Sequence, residues 1–181
     1  MAKLNDLTSV ALLQLLSAFN TAKGGLAINL GGAATVKTAA ALQPVINGVQ
    51  YTKAALAAQA INITHDAQGS AALGFVQPSG VTVYYTLGTN AAGAVSVSQG
   101  TFNGQRYSAD PSVGLGSASA MGTSFIGNGA IPDVPAGFAP FGVIKVVTAG
   151  LATFTAGTTA LDATNVTASF FDIALVPGGL L

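Results

Sequence analysis

The sequence predicts a mainly β protein: an antiparallel β-sandwich or jelly-roll-like barrel with a short N-terminal α-helix and a long irregular arm. Three observations carry this. From about residue 26 onward, short runs of Val, Ile, Thr and Tyr are punctuated by Gly, Asn and Pro, the pattern of half-buried strands joined by turns. Residues 7–22 instead repeat their apolar positions at helical spacing. Residues 103–140 follow neither period. The expected organisation is therefore a helical segment at 1–25 and a β domain at 26–181, with the arm at 103–140 inside it.

The first element is the helix over 7–22, LTSVALLQLLSAFNTA. Asp6 or Thr8 can cap its start, and Gly24-Gly25 supply the left-handed residue that stops it. Leu12, Leu13, Leu15, Leu16 and Phe19 wrap more than one face, and no charge interrupts them. Such a helix is expected to be buried on several sides, against its own domain or against neighbouring subunits.

The strands come next. Pro44–Lys53 reads as a hairpin closed by Asn47-Gly48, whose φ > 0 preferences suit a two-residue primed turn. Ile61–Thr64 is a further short strand. Val81–Leu87 and Ala94–Ser98 form a second hairpin around a Thr89–Gly93 turn. Phe141–Thr148, Leu151–Thr155 and Val166–Leu175 complete seven or eight short strands, the spacing of a sandwich or barrel. Thr and Ser fill the outward positions where Lys and Glu are usual. The arm is rich in Gly, Ser and Pro, yet it carries Met121, Phe125, Ile126, Ile131, Val134 and Phe138. A structureless stretch of this length is uncommon in a compact domain, so it is expected to lie on its own domain or on a neighbour.

Composition limits what such a fold can do. The chain has 181 residues and 17.7 kDa, with Gly at 23 positions and a mean hydropathy of +0.59. Only 7% of residues are charged, six basic against six acidic, so the net charge is zero. An ordinary soluble domain is about 25% charged. Intrinsic disorder, which needs low hydrophobicity and high charge, is excluded. Six scattered cations cannot form a phosphate-binding stripe, so nucleic acid is not an expected partner. No apolar run approaches the ~20 residues that span a bilayer. A surface this poor in charge is expected to be covered by other chains, as in an obligate oligomer or a large assembly.

The chemistry of sites is sparse. There is no cysteine, hence neither a disulfide framework nor a thiolate metal site. His65 is the only histidine, beside Asp66; adjacent strand residues point to opposite faces, which disfavours a catalytic pair. A hydrolase built on His65 is a minor alternative. Asp6, Asp66, Asp110, Asp133, Asp162 and Asp172 are far apart and have no Ca²⁺-loop spacing. No nucleophile elbow, P-loop or dinucleotide fingerprint is present. Tyr51, Tyr84, Tyr85 and Tyr107 could contact a glycan, but Trp is absent. No catalytic, cofactor or metal residue is expected, and the protein is not expected to be an enzyme. The N-terminus carries no secretory h-region, so synthesis and folding are expected in a cytoplasm. The sequons at Asn62 and Asn165 are then incidental.

The phrases VINGVQYTK (45–53), VYYTLGTNAAGAVSVSQG (83–100), APFGVIKVVT (139–148) and TFTAGTTALDATNVTASFFD (153–172) follow the short helix in that order. Over roughly residues 40–175 the chain resembles small virion structural proteins of tailed bacteriophages, in particular capsid cement, or decoration, proteins. The resemblance implies a homotrimer on the capsid exterior, with the major capsid protein as partner, assembled in the host cytoplasm and bracing the shell against internal DNA pressure. It also implies an alternative, because similar sequences include head-fibre and tail-fibre or adhesin components that bind host-surface glycans. On this reading, Leu12, Leu13, Leu16, Phe19, Phe125, Ile126 and Ile131 are the expected oligomer or capsid contacts.

Overall fold

A computed structural model of the chain describes residues 18–65, 75–101 and 131–174. They form ten strands: β1 (Ala18–Asn20), β2 (Leu26–Ile28), β3 (Thr35–Thr38), β4 (Pro44–Ile46), β5 (Val49–Gln50), β6 (Gln59–Ala60), β7 (Thr82–Asn90), β8 (Val95–Gln99), β9 (Phe138–Thr148) and β10 (Val166–Asp172). These make three antiparallel sheets, ordered β1-β4-β5, β2-β3-β6 and β10-β9-β7-β8. The protein is mainly β, and the described residues contain no helix.

The helix expected over 7–22 is not shown. Within it, Ala18, Phe19 and Asn20 are strand and pair with Ile46, Val45 and Pro44. Asn20 explains why the extended form prevails here. Its side-chain amide donates to the carbonyls of Ala139 (3.3 Å) and Pro140 (2.9 Å), a link to β9 that a helical turn would have to give up. Residues 7–17 lie outside the described residues.

The two expected hairpins are present. Asn47 (φ 51°) and Gly48 (φ 78°) both lie in the left-handed region, as a type I′ turn between β4 and β5 requires. Between β7 and β8 the carboxamide oxygen of Asn90 accepts from the amides of Ala92 (3.0 Å) and Ala94 (2.9 Å), so one side chain holds the turn closed. The strand expected at 151–155 reduces to a single bridge, Phe154 with Gln77. Residues 149–151 are instead a tight turn, and Thr155 starts another through bonds to Thr158 and Thr159. The strand expected at 61–64 becomes an edge cover, described below. Four short strands, β1, β2, β3 and β6, were not anticipated.

The four-stranded sheet supplies most of the core. Its alternation puts Val83, Tyr85, Leu87, Val97, Ile144 and Val146 on one face, each at most 1% exposed. Against that face pack Leu26, Val36, Leu42, Ile61, Phe154 and Leu161. Gly142 is the point of closest approach: a Cβ there would lie 2.5 Å from Leu26 Cδ2. Asp172, at the end of β10, accepts the amide of Leu26 at 2.9 Å and so ties β2 to the large sheet. Between Leu87/Gly142 and Gly88/Pro140 the register slips by one, and the extra residue, Phe141, is fully buried.

Candidate interaction surface

The opposite face of the same sheet has a different character. Registers place Thr82, Val147 and Thr167 in one row, Tyr84, Lys145 and Ser169 in the next, and Thr86, Val143 and Phe171 in a third, with Ser98 beside Thr86. In the first two rows every residue is half-buried or exposed. Lys145 is the only charge in the three rows. In the third row Thr86 and Val143 are buried, whereas Phe171 is 51% exposed. Further along, Val134 and Phe138 lie against Gly88, and the His65 ring tilts over Phe138 with centroids 6.3 Å apart. Under that apolar end the hydroxyls of Thr86 and Ser98 are buried with no hydrogen-bond partner among the described residues.

The outer edge of β8 is sealed from within the chain. The amides of Thr64 and His65 donate to Val97 O at 2.9 and 3.2 Å, and Gln99 donates to His65 O at 3.0 Å. Thr64 Oγ1 takes the outward amide of Val97 at 2.9 Å. His65 Nδ1 stands 2.8 Å from the same hydroxyl. His65 is therefore part of an edge cover that pairs in parallel with Ser98.

Of the seven expected contact residues, Leu12, Leu13, Leu16, Phe125 and Ile126 lie outside the described residues. Phe19 is half-buried on β1, opposite Val45. Ile131 is 60% exposed, on the approach to β9. The two sit on separate segments. Asp162 and Asp172 each accept a main-chain amide, from Gly32 and Leu26 respectively, while Asp6, Asp66 and Asp110 are outside the described set. No group of three metal-binding side chains occurs among the described residues. No described helix is long and apolar enough to cross a membrane. Tyr51 lies beneath Lys53, whose ammonium is 5.4 Å from the ring centroid.

One polar cluster had no sequence signal. Tyr85 Oη donates to Gln77 Oε1 (3.1 Å) and accepts from Gln99 Nε2 (3.3 Å). Gln77 Nε2 donates onward to the carbonyls of Val81 and Val146, and Gln99 pairs with both main-chain groups of Phe75. Burial pushes the Tyr85 hydroxyl well above the usual phenol range, against a smaller opposing pull from Gln99. This network is internally satisfied and pins residues 75–81 to the sheet. Comparison with protein-family models, with curated proteins and with solved structures finds no match.

Proposed function

We propose that the protein is a structural component of a tailed-phage virion, acting as a capsid cement protein that binds the assembled shell and stabilises it. In this reading the four-stranded sheet and the β2-β3-β6 sheet are the two leaves of a β-sandwich. The observation that carries the reading is the open part of the large sheet's second face. Thr82, Thr167 and Ser169 line it with one cation, Lys145, and the exposed ring of Phe171 at its border, so it suits broad contact with protein. Exposed Leu30 (68%) and Leu151 (95%) extend that apolar, uncharged character to the turns. The phrase order of the sequence supports the same assignment, including a homo-oligomer, a trimer by that resemblance, on the capsid exterior.

The physics of such a role needs no reacting group. A ligand that binds only the assembled state stabilises it by mass action, about 2.7 kcal/mol at a free concentration one hundred times Kd. Multiple attached copies add avidity. The decisive measurement is the number of copies per purified particle, together with the heat resistance of shells before and after the protein is added. Many copies per shell and a raised disruption temperature support the proposal. A few copies per particle, with binding to host-surface glycan, would establish the fibre or adhesin alternative instead.

A further inference from the structure

β10 forms one outer edge of the four-stranded sheet. Ile173 donates to Phe141 O at 2.9 Å, and Ala149 donates to Asn165 O at 2.9 Å. Antiparallel alternation between these two bonds turns the main chain of Thr167, Ser169 and Phe171 toward β9. The amides and carbonyls of Ala168, Phe170 and the amide of Asp172 therefore point outward. No main-chain hydrogen bond among the described residues reaches them. The other long edge of this sheet, β8, is covered by residues 64 and 65. At Val166 the outward amide is already taken by Ala163 O (2.8 Å), but from Ala168 to Asp172 β10 has an open edge among the described residues, with neither Pro nor Lys to blunt it.

We propose that the β10 edge pairs antiparallel with the β10 edge of a second copy of this chain, about a two-fold axis at Ser169. An open edge specifies an extended backbone as its occupant, and the side chains of β10 specify which one. With Ser169 on the axis residues 167–171 overlap, and the turn that bonds Val166 to Ala163 bounds the paired stretch at each end. On the core-facing side Ala168 lies opposite Phe170 of the second copy, and Phe170 opposite its Ala168, small against large both times. On the open face Thr167 meets Phe171 of the second copy, which covers the exposed phenylalanine. Asp172 falls at the level of Val166, just beyond the paired stretch, so no like charges meet. The Lys145 residues of the two copies stand three strand spacings apart, about 14 Å, beyond the ~8 Å Debye length of physiological salt. The contact extends four strands into a continuous eight. Being isologous, it joins copies in pairs; in a trimeric assembly it ties one trimer to the next. It stands independently of the virion assignment.

The chain's lack of cysteine makes the test direct. Ser169 on the axis forms a non-hydrogen-bonded pair with its own copy, with Cα atoms about 4.5 Å apart, within the range a disulfide bridges. Ser169→Cys is expected to give a disulfide-linked dimer on mild oxidation. Thr153→Cys, at an exposed position away from β10, is the control and should remain unlinked at the same concentration. Ala168→Pro deletes an outward amide without removing a bond to β9, and is expected to halve the mass measured by light scattering while the circular dichroism spectrum is retained. Should that variant fail to fold, Ser169→Lys sets two cations across the axis and should halve the mass in the same way. A monomeric wild type, cross-linking of Ser169→Cys no greater than that of Thr153→Cys, or an unchanged mass in the folded variants would overturn the pairing. Capsid copy number reads the function and leaves this result untouched.

Discussion

Thr86 illustrates how single atoms set the energetics of this fold. Its hydroxyl is buried on the sheet's second face without a partner among the described residues, and an unpaired buried hydroxyl costs about 1–3 kcal/mol. Val has nearly the same shape and no polar atom. Thr86→Val is therefore expected to raise unfolding stability by about 1 kcal/mol, measured by urea titration; a loss of stability would show that the hydroxyl is hydrogen-bonded in solution. Tyr85 makes the complementary case. Among the described residues its hydroxyl is the only partner of Gln77 Oε1, so Tyr85→Phe should cost about 1–3 kcal/mol. Its folded-state pKa is raised, so above pH ~10 the unfolded chain releases the proton while the folded chain keeps it. Stability is thus full below about pH 10 and falls as pH rises beyond it. The slope attributable to Tyr85 should vanish in Tyr85→Phe, with unfolding followed at several alkaline pH values.

At the scale of elements, the best-determined link is the one that Asp172 makes between β10 and β2. Asp172→Ala leaves the amide of Leu26, a 7%-exposed core residue, without an acceptor, and should destabilise by about 1–3 kcal/mol in chemical denaturation. This scale also shows what a sequence can reveal. Asn47-Gly48 announces its hairpin because few residues tolerate positive φ at both central positions. Long alternating runs such as β7 and β9 are legible because the period repeats several times. Three-residue strands such as β1 and β2 repeat too briefly to show a period. Phe19 follows a leucine-rich run and so reads as helix, whereas its conformation is decided by Asn20 reaching β9 some 120 residues away. Residues 151–155 have strand-like composition but turn at both ends. The open face of the large sheet was partly legible, as Thr and Ser in place of charge. The Gln77–Tyr85–Gln99 network was not, because its members meet only after the sheet has formed.

For the whole molecule the governing fact is near-absence of charge. An association driven by ion pairs weakens steeply as salt rises, but six cations and six anions spread over 181 residues give salt little to screen. In the proposed role, shell binding is expected to change less than about threefold between low salt and about 0.5 M salt, followed by co-sedimentation with shells; a steep decline would point to an electrostatic interface. The core has the same dependence on apolar contact, since one cluster joins β2, β3, β7, β8, β9 and β10.

The bond from Leu26 to Asp172 also has a consequence in time. Its partners are 146 residues apart, and Asn20 reaches Ala139 across 119. The earliest strands to leave the ribosome must wait for nearly the last ones before they can be buried. At ordinary rates of synthesis, about 5–20 residues per second, that interval lasts roughly 7–30 seconds, during which Leu26 and Val36 lack the β9 and β10 side of their core. The nascent chain crosses that interval with almost no charge to keep it apart from its neighbours. Its concentration during synthesis, as well as its final stability, then bears on how much of it arrives folded.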